Sequence, residues 1–392
     1  MENKVTTLME NYGRTDILFC RGEGAYLYTA SGDRYLDALS GIAVCSLGHA
    51  NVAVAEAISA QAKTLLHTSN LYRIELQETL ADRLMDISGM QKAFFCNSGA
   101  EANEAAIKIA RKSGRDKGIG LPVIVAMQGS FHGRTMATLS ATGNSKVHDG
   151  FQPIVPGFKH VEYDNAGAVT KALEDPNCVA VLVEPLQGEG GVVVPSPGYL
   201  RALRDLCDQR DVLLMLDEVQ SGVGRTGEWF AYQHEDILPD VVTSAKALGN
   251  GVPIGACLAR GAAADILSPG THGSTFGGNP LACSAALAVL DVISDHALIE
   301  RARLLGNFFA TAFREKFIGR KEILAVRGKG LMVGIELDRP CGELVEMCLS
   351  DGVLINVAAQ NVVRLLPPLI ISDDNATEIV DKVSASIFKF LN

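Results

Sequence analysis

The sequence predicts an α/β fold, with a mostly parallel sheet covered by helices in a large domain and a smaller α/β domain after it. Three observations carry this. Short apolar runs recur at 92–96, 123–127, 179–183, 212–216, 241–243 and 255–259, with longer helical stretches between them. Strands alternating with helices imply a parallel sheet packed on both faces. Each run also leads straight into polar or glycine-rich residues, and ligands gather beyond the carboxyl ends of such strands.

Taken in order, 22–28 followed by 32–37 reads as a hairpin, placing residues 1–55 as an N-terminal segment packed with the small domain. Residues 56–285 form the large domain. Beyond Asn279-Pro280-Leu281 a helical pattern runs through 285–293, and 286–392 reads as the small domain, with strands near 331–336 and 362–366. No internal repeat and no low-complexity segment interrupts this plan.

The chain has 392 residues, 47% of them hydrophobic, and a formal charge of −10, enough for a large core and against nucleic acid or an anionic membrane as partner. No apolar stretch approaches the ~20 residues of a membrane span. The start, Met1-Glu2-Asn3-Lys4-Val5-Thr6, lacks the apolar core of a signal peptide, so a cytoplasmic protein is expected. Nine cysteines, Cys45, Cys96, Cys178, Cys257 and Cys283 among them, stand singly without a C-x-x-C pair or a histidine cluster. Buried reduced thiols explain them better than disulfides or a metal, and no metal site is expected.

Two residues stand out chemically. Asp217 closes the run Val212-Leu213-Leu214-Met215-Leu216, and Lys246 follows the run at 241–243, set among Ala, Leu and Gly. An acid at one strand end usually caps a turn, and a loop lysine is usually a solvated charge. Together they suit pyridoxal 5'-phosphate: the amine holds the cofactor covalently, and the carboxylate keeps the pyridine nitrogen protonated so that the ring accepts electrons. Apolar surroundings should lower the pKa of Lys246. Ser98-Gly99-Ala100-Glu101 has capping-box spacing before a small-residue helix, and its first amides, at Gly99 and Ala100, suit a phosphate. Phe131 could stack on a ring that His132 flanks; a core aromatic beside a surface histidine is the plainer reading. Gly222-Val223-Gly224-Arg225-Thr226-Gly227 matches a dinucleotide-binding pattern, but four residues separate it from the strand before it and no helical apolar period follows it before Pro239.

The chain resembles the fold type I aminotransferases, in the subgroup acting on ω-amino groups. The matching pieces are Asn97-Ser98-Gly99-Ala100-Glu101-Ala102-Asn103-Glu104, Phe131-His132-Gly133-Arg134-Thr135, Glu184-Pro185-Leu186-Gln187-Gly188-Glu189-Gly190-Gly191, Leu216-Asp217-Glu218-Val219-Gln220, Lys246 and Gly273-Ser274-Thr275-Phe276-Gly277-Gly278-Asn279-Pro280. The resemblance implies that Lys246 and Asp217 are catalytic, that Gln220 sits near the phenolic oxygen, Phe131 and His132 at the ring, and Ser98, Gly99 and Ala100 on the phosphate. It implies that Thr275 reaches the phosphate of a neighbouring subunit, hence a homodimer with shared sites. Ser274, Arg134, Glu189 and Arg364 are the implied substrate contacts.

An ω-amine donor has no carboxylate on its reacting carbon, whereas glutamate and 2-oxoglutarate do. In the subgroup a glutamate masks an arginine for the first and releases it for the second; Glu189 and Arg364 match that pair, and Arg134 would take the distant carboxylate. The implied reaction carries the terminal amino group of acetylornithine to 2-oxoglutarate. Ornithine, succinylornithine, succinyldiaminopimelate and 4-aminobutyrate remain open as donors, since pocket differences of a few atoms are worth only about 1–3 kcal/mol. An aminomutase would not need the Glu189 and Arg364 pair. The chain departs from the family at Gly48-His49-Ala50-Asn51-Val52, which lacks the usual proline, and Ile42-Ala43 suggests a roomier pocket than one lined by tyrosine.

Overall fold

The computed structural model describes residues 7–392, so the reading of Met1 to Thr6 lies outside the described residues. A seven-stranded sheet forms the centre. Its strands are β4 (Lys92–Cys96), β5 (Val123–Met127), β6 (Phe158–Val161), β7 (Cys178–Val183), β8 (Leu213–Asp217), β9 (Val241–Ser244) and β10 (Gly255–Ala259), in the order β4-β10-β9-β8-β7-β5-β6. Four neighbouring pairs are parallel, and β10 alone runs against both of its neighbours, β4 and β9.

Both faces of this sheet are dry. Along β7 and β8, Val181, Val183, Leu214 and Leu216 enter one core cluster while Ala180, Leu182 and Met215 enter another on the opposite face. That is why these strands read as unbroken apolar runs rather than alternating ones. The strand β6 was not anticipated, because Phe158-Lys159-His160-Val161 at the sheet edge is only half-buried and carries polar residues.

Three strands at the start, β1 (Phe19–Glu23), β2 (Tyr26–Thr29) and β3 (Arg34–Asp37), make an antiparallel meander, and β3 pairs in parallel with β13 (Val353–Leu354). Ser40 adds a hydroxyl hydrogen bond to the Leu366 carbonyl at 2.6 Å. The C-terminal sheet is antiparallel, in the order β11 (Ile323–Lys329), β12 (Met332–Leu337), β15 (Val362–Leu365), β14 (Asn356–Ala358). It packs against the helix Leu298–Lys316, whose Phe309 and Phe313 stack at i, i+4 with Phe317. The departure near Gly48 has a simple geometry. Val52 is the first residue of the helix Val52–Thr64, where a proline would sit easily, and Asn51 supplies the cap by accepting from the Val54 amide at 3.3 Å.

All nine cysteines are free, but two are not buried: Cys20 is exposed and Cys45 half-buried. The expectation of burial therefore fails for Cys20, on the edge strand β1, and for Cys45, which sits in an irregular turn rather than in an element. No single helix among the described residues is long and apolar enough to cross a membrane, and no group of three or more His, Cys, Asp or Glu is placed to hold a metal ion.

Candidate active site

Because β4 runs with β5, β7, β8 and β9, the carboxyl ends of all five open on one rim. The loops after them supply Asn97 to Ala100, Phe131 to Arg134, Glu184 and Glu189, Asp217, Val219 and Gln220, and Lys246, which together line a cavity of about 380 Å³. The reversed strand β10 brings its incoming segment, Gly251 to Ile254, to the same place. A volume of this size holds a small cofactor with a small substrate.

Lys246 opens a short helical turn with φ of +45°, a left-handed backbone that a lysine adopts at a cost of about 1–2 kcal/mol. Its amine makes no hydrogen bond or ion pair with any described residue. Burial lowers its pKa; Asp217, Glu189 and Glu184 oppose that shift, and Arg364 adds to it. A lowered pKa makes the amine easier to deprotonate, which suits a nucleophile.

Asp217 is 4% exposed and tightly held. Its Oδ2 accepts from Asn103 Nδ2 at 2.7 Å and pairs with His132 Nδ1 at 2.8 Å, and its Oδ1 accepts from the Val219 amide at 3.1 Å. His132 therefore grips the acid instead of lying on the surface, and its Nε2 is buried without a partner. Two residues here had been given no role. Asn103 lies on the helix Gly99–Asp116 among Ala102, Ala105 and Ala106; a buried amide on that apolar face was the available signal. Glu184 accepts from the Phe131 amide at 2.9 Å, and burial pushes its carboxyl up to about 7, with His132 pulling the other way.

At the far side, Ser98 caps the helix Gly99–Asp116 by accepting from the Glu101 amide at 3.2 Å. The box is displaced by one residue: the Glu101 carboxylate returns to the Asn97 amide at 2.6 Å rather than to that of Ser98. A side chain at Gly99 would meet Val219 at 2.6 Å. One at Gly188 would strike Gln220 Oε1 at 2.0 Å, and that oxygen is buried without a partner. These residues fit pyridoxal phosphate. The site offers a partnerless amine, a carboxylate facing the cavity, an orphaned amide oxygen and open amides at a helix N-terminus.

Arg364, on β15, is 1% exposed and gives one hydrogen bond to Glu189 Oε1 at 2.6 Å and another to Asn356 Oδ1 at 2.7 Å. The Glu189 side chain is 40% exposed. Arg134 is exposed, with its guanidinium 5.3 Å from the Phe131 ring centre. Ser274 and Thr275 do not join them. The Ser274 hydroxyl is engaged by Asn97 Nδ2 at 3.2 Å and the Gly277 amide at 3.0 Å, while Thr275 is exposed, outside this cavity. Nor does Ile42 reach it. Ile42 and Ala43 pack with Leu186, Val192 and Leu366, and Val44 is the residue of that turn that lines the cavity.

The glycine pattern at 222–227 folds as a buried crossing rather than a nucleotide loop. It carries Arg225, 0% exposed, whose guanidinium bonds to the Pro367 carbonyl, the Leu331 carbonyl at 3.3 Å and Ser46 Oγ at 2.8 Å. Gly222 lies where a side chain would meet the Glu218 carbonyl at 2.8 Å.

Known proteins share this sequence family and this fold. The family model described as aminotransferase class-III matches residues 8–387. Acetylornithine aminotransferase of Nitrosomonas europaea is 54% identical, with 98% of each chain covered. The fold matches ornithine aminotransferase of Toxoplasma gondii, whose structure shows partial occupancy of PLP at its active site, with a TM-score of 0.95 and 36% identity over 98% of this chain and 92% of that one. It also matches acetylornithine aminotransferase of Elizabethkingia anophelis, with a TM-score of 0.87 and 34% identity over 97% and 96% of the two chains. A family match over nearly the whole chain, around a cavity with an unpaired lysine and a clamped aspartate, makes this protein a member of the class-III aminotransferases.

Proposed function

We propose that the protein transfers the terminal amino group of acetylornithine to 2-oxoglutarate, giving acetylglutamate semialdehyde and glutamate, as a step of arginine biosynthesis. The name shared by relatives of 45–54% identity supports the donor. The observation in the molecule that carries the reading is the ion pair of buried Arg364 with half-exposed Glu189 at the cavity.

Pyridoxal phosphate, when bound, supplies the carbonyl that takes up the amino group and a ring that accepts the electron pair of the broken C–H bond. The Lys246 amine would hold the cofactor and would move the proton at the reacting carbon. Asp217 holds the proton on the ring nitrogen, with His132 beside it. Ser98, Gly99 and Ala100 would hold the phosphate, Phe131 would cover the ring and Gln220 would meet the phenolic oxygen. When the ω-amine is present, Glu189 stays on Arg364 and neutralises it, while Arg134 binds the distant α-carboxylate. When glutamate or 2-oxoglutarate enters, Glu189 swings toward solvent and Arg364 takes the carboxylate on the reacting carbon through its paired N–H groups. The chain acts as a cytoplasmic homodimer in which Thr275 completes the phosphate site of the other subunit. Its exposure beside Phe276, which is 62% exposed, supports that placement.

Ornithine is the second reading, favoured by the TM-score of 0.95 to an ornithine aminotransferase. The test is a single-turnover spectrum of the yellow protein with acetylornithine, ornithine, 4-aminobutyrate and glutamate in turn, without keto acid. Rapid bleaching with acetylornithine and glutamate alone is expected. Fastest bleaching with ornithine would reassign the donor and keep the chemistry.

A further inference from the structure

We infer that Asn103 and Thr243 are positioning residues, a clamp that fixes the Asp217 carboxylate so that the site selects a ring with a nitrogen at its far end over the same ring with carbon there. This rests on the proposed meeting of Asp217 with the ring nitrogen.

The hydrogen-bond inventory shows how little freedom the acid has. Asn103 Nδ2 and His132 Nδ1 occupy both acceptor positions of Oδ2, and the Val219 amide takes one of the two on Oδ1. One acceptor position is left on a carboxylate that lines the cavity. All the donors that hold it are side-chain or backbone N–H groups.

An asparagine amide can face either way, and the wrong face would set its oxygen against the carboxylate. Two bonds forbid that. Nδ2 gives its second hydrogen to the His132 carbonyl at 2.8 Å, and Thr243 Oγ1 donates to Asn103 Oδ1 at 2.7 Å. Asn103 and Thr243 are each 1% exposed, so water does not compete. Thr243 sits on β9, three residues before Lys246, and Asn103 lies one turn after Gly99 on the same helix. A single helix face thus sets the phosphate end and the ring-nitrogen end, about 6 Å apart along its axis.

The alternative is a polar network that only holds helix to sheet. The deciding measurement is the dissociation constant of pyridoxal phosphate, and of its analogue with carbon replacing the ring nitrogen, for the full-length dimer resolved and reconstituted. Wild type, Thr243→Val and Asn103→Leu are compared, with the melting temperature of each. Wild type should prefer the natural cofactor, and Asn103→Leu should reduce that preference by about tenfold, chiefly by weakening pyridoxal phosphate and leaving the analogue little changed. Thr243→Val keeps the shape and removes only the orienting donor, and a reduction of about threefold is expected. Equal weakening of both ligands, or an unchanged preference, would overturn the clamp. If Asn103→Leu fails to fold, Thr243→Val decides by the same criterion. A wild type that binds the two ligands equally would overturn the placement of Asp217 itself, and the clamp with it.

Discussion

The two ends of the cavity are built on opposite principles. At the aspartate end, Asp217, Asn103 and His132 are at most 4% exposed and are joined by bonds that cross two strands, a helix and a loop. At the arginine end, Glu189 is 40% exposed and holds Arg364 by one bond, while Arg134 is exposed with only a ring face beside it. Under the proposed function, the difference suits what each end would do. Electron withdrawal from the substrate is common to both half-reactions and gains from a site that does not reorganise. Recognition must alternate between an amine with no carboxylate at the reacting carbon and an acid with one, and that requires a side chain free to leave.

The largest effect should come from the group the two ends share. Lys246→Ala is expected to reduce turnover by at least about a thousandfold with either substrate, since nucleophile and proton carrier are lost together. Activity near wild type in a folded, cofactor-loaded variant would remove the central assignment. Arg364→Ala should separate the ends: the glutamate half-reaction slows about a hundredfold, the ω-amine half-reaction by a few-fold. Equal losses in the two single-turnover rates would mean that Glu189 and Arg364 are a structural pair and no switch.

The rigid half of this contrast was the more legible in the sequence. The strands β4, β5, β7, β8, β9 and β10 read as apolar runs because the sheet is packed on both faces, and the cavity-lining residues follow β4, β5, β7, β8 and β9 and precede the reversed β10, so that Asp217 and Lys246 can be read directly at strand ends. Asn103 and Thr243 stayed hidden because their roles depend on partners 114 and 140 residues away in the chain. His132 was visible as a residue but not as a partner of Asp217, for the same reason. The edge strand β6 escaped because half-burial breaks the apolar pattern. Ile42 misled because a run of positive φ from Ser40 to Ala43 turns the chain so that Val44, not Ile42, faces the cavity.

The smallest effect probes the dryness of the rigid end. Glu184 is 5% exposed, and burial raises its carboxyl from 4.5 to about 7, with the charge of Asp217 adding to the shift and His132, the Phe131 amide and Lys246 opposing it. The sign follows from which state holds the proton. Below about 4.5 the carboxyl is protonated whether the chain is folded or not. Between 4.5 and 7 the unfolded chain has released that proton and the folded chain keeps it, so stability falls as pH rises through this window and levels off above it. For one such group the loss is on the order of 3 kcal/mol, or a few degrees in Tm. In Glu184→Gln, which keeps the shape and cannot ionise, Tm of the cofactor-free protein should vary less between pH 5 and about pH 7.5 than in wild type. A slope as steep as wild type would mean that water reaches Glu184. The aspartate end would then be as solvated as the arginine end, and the contrast between fixed chemistry and movable recognition would lose its physical basis.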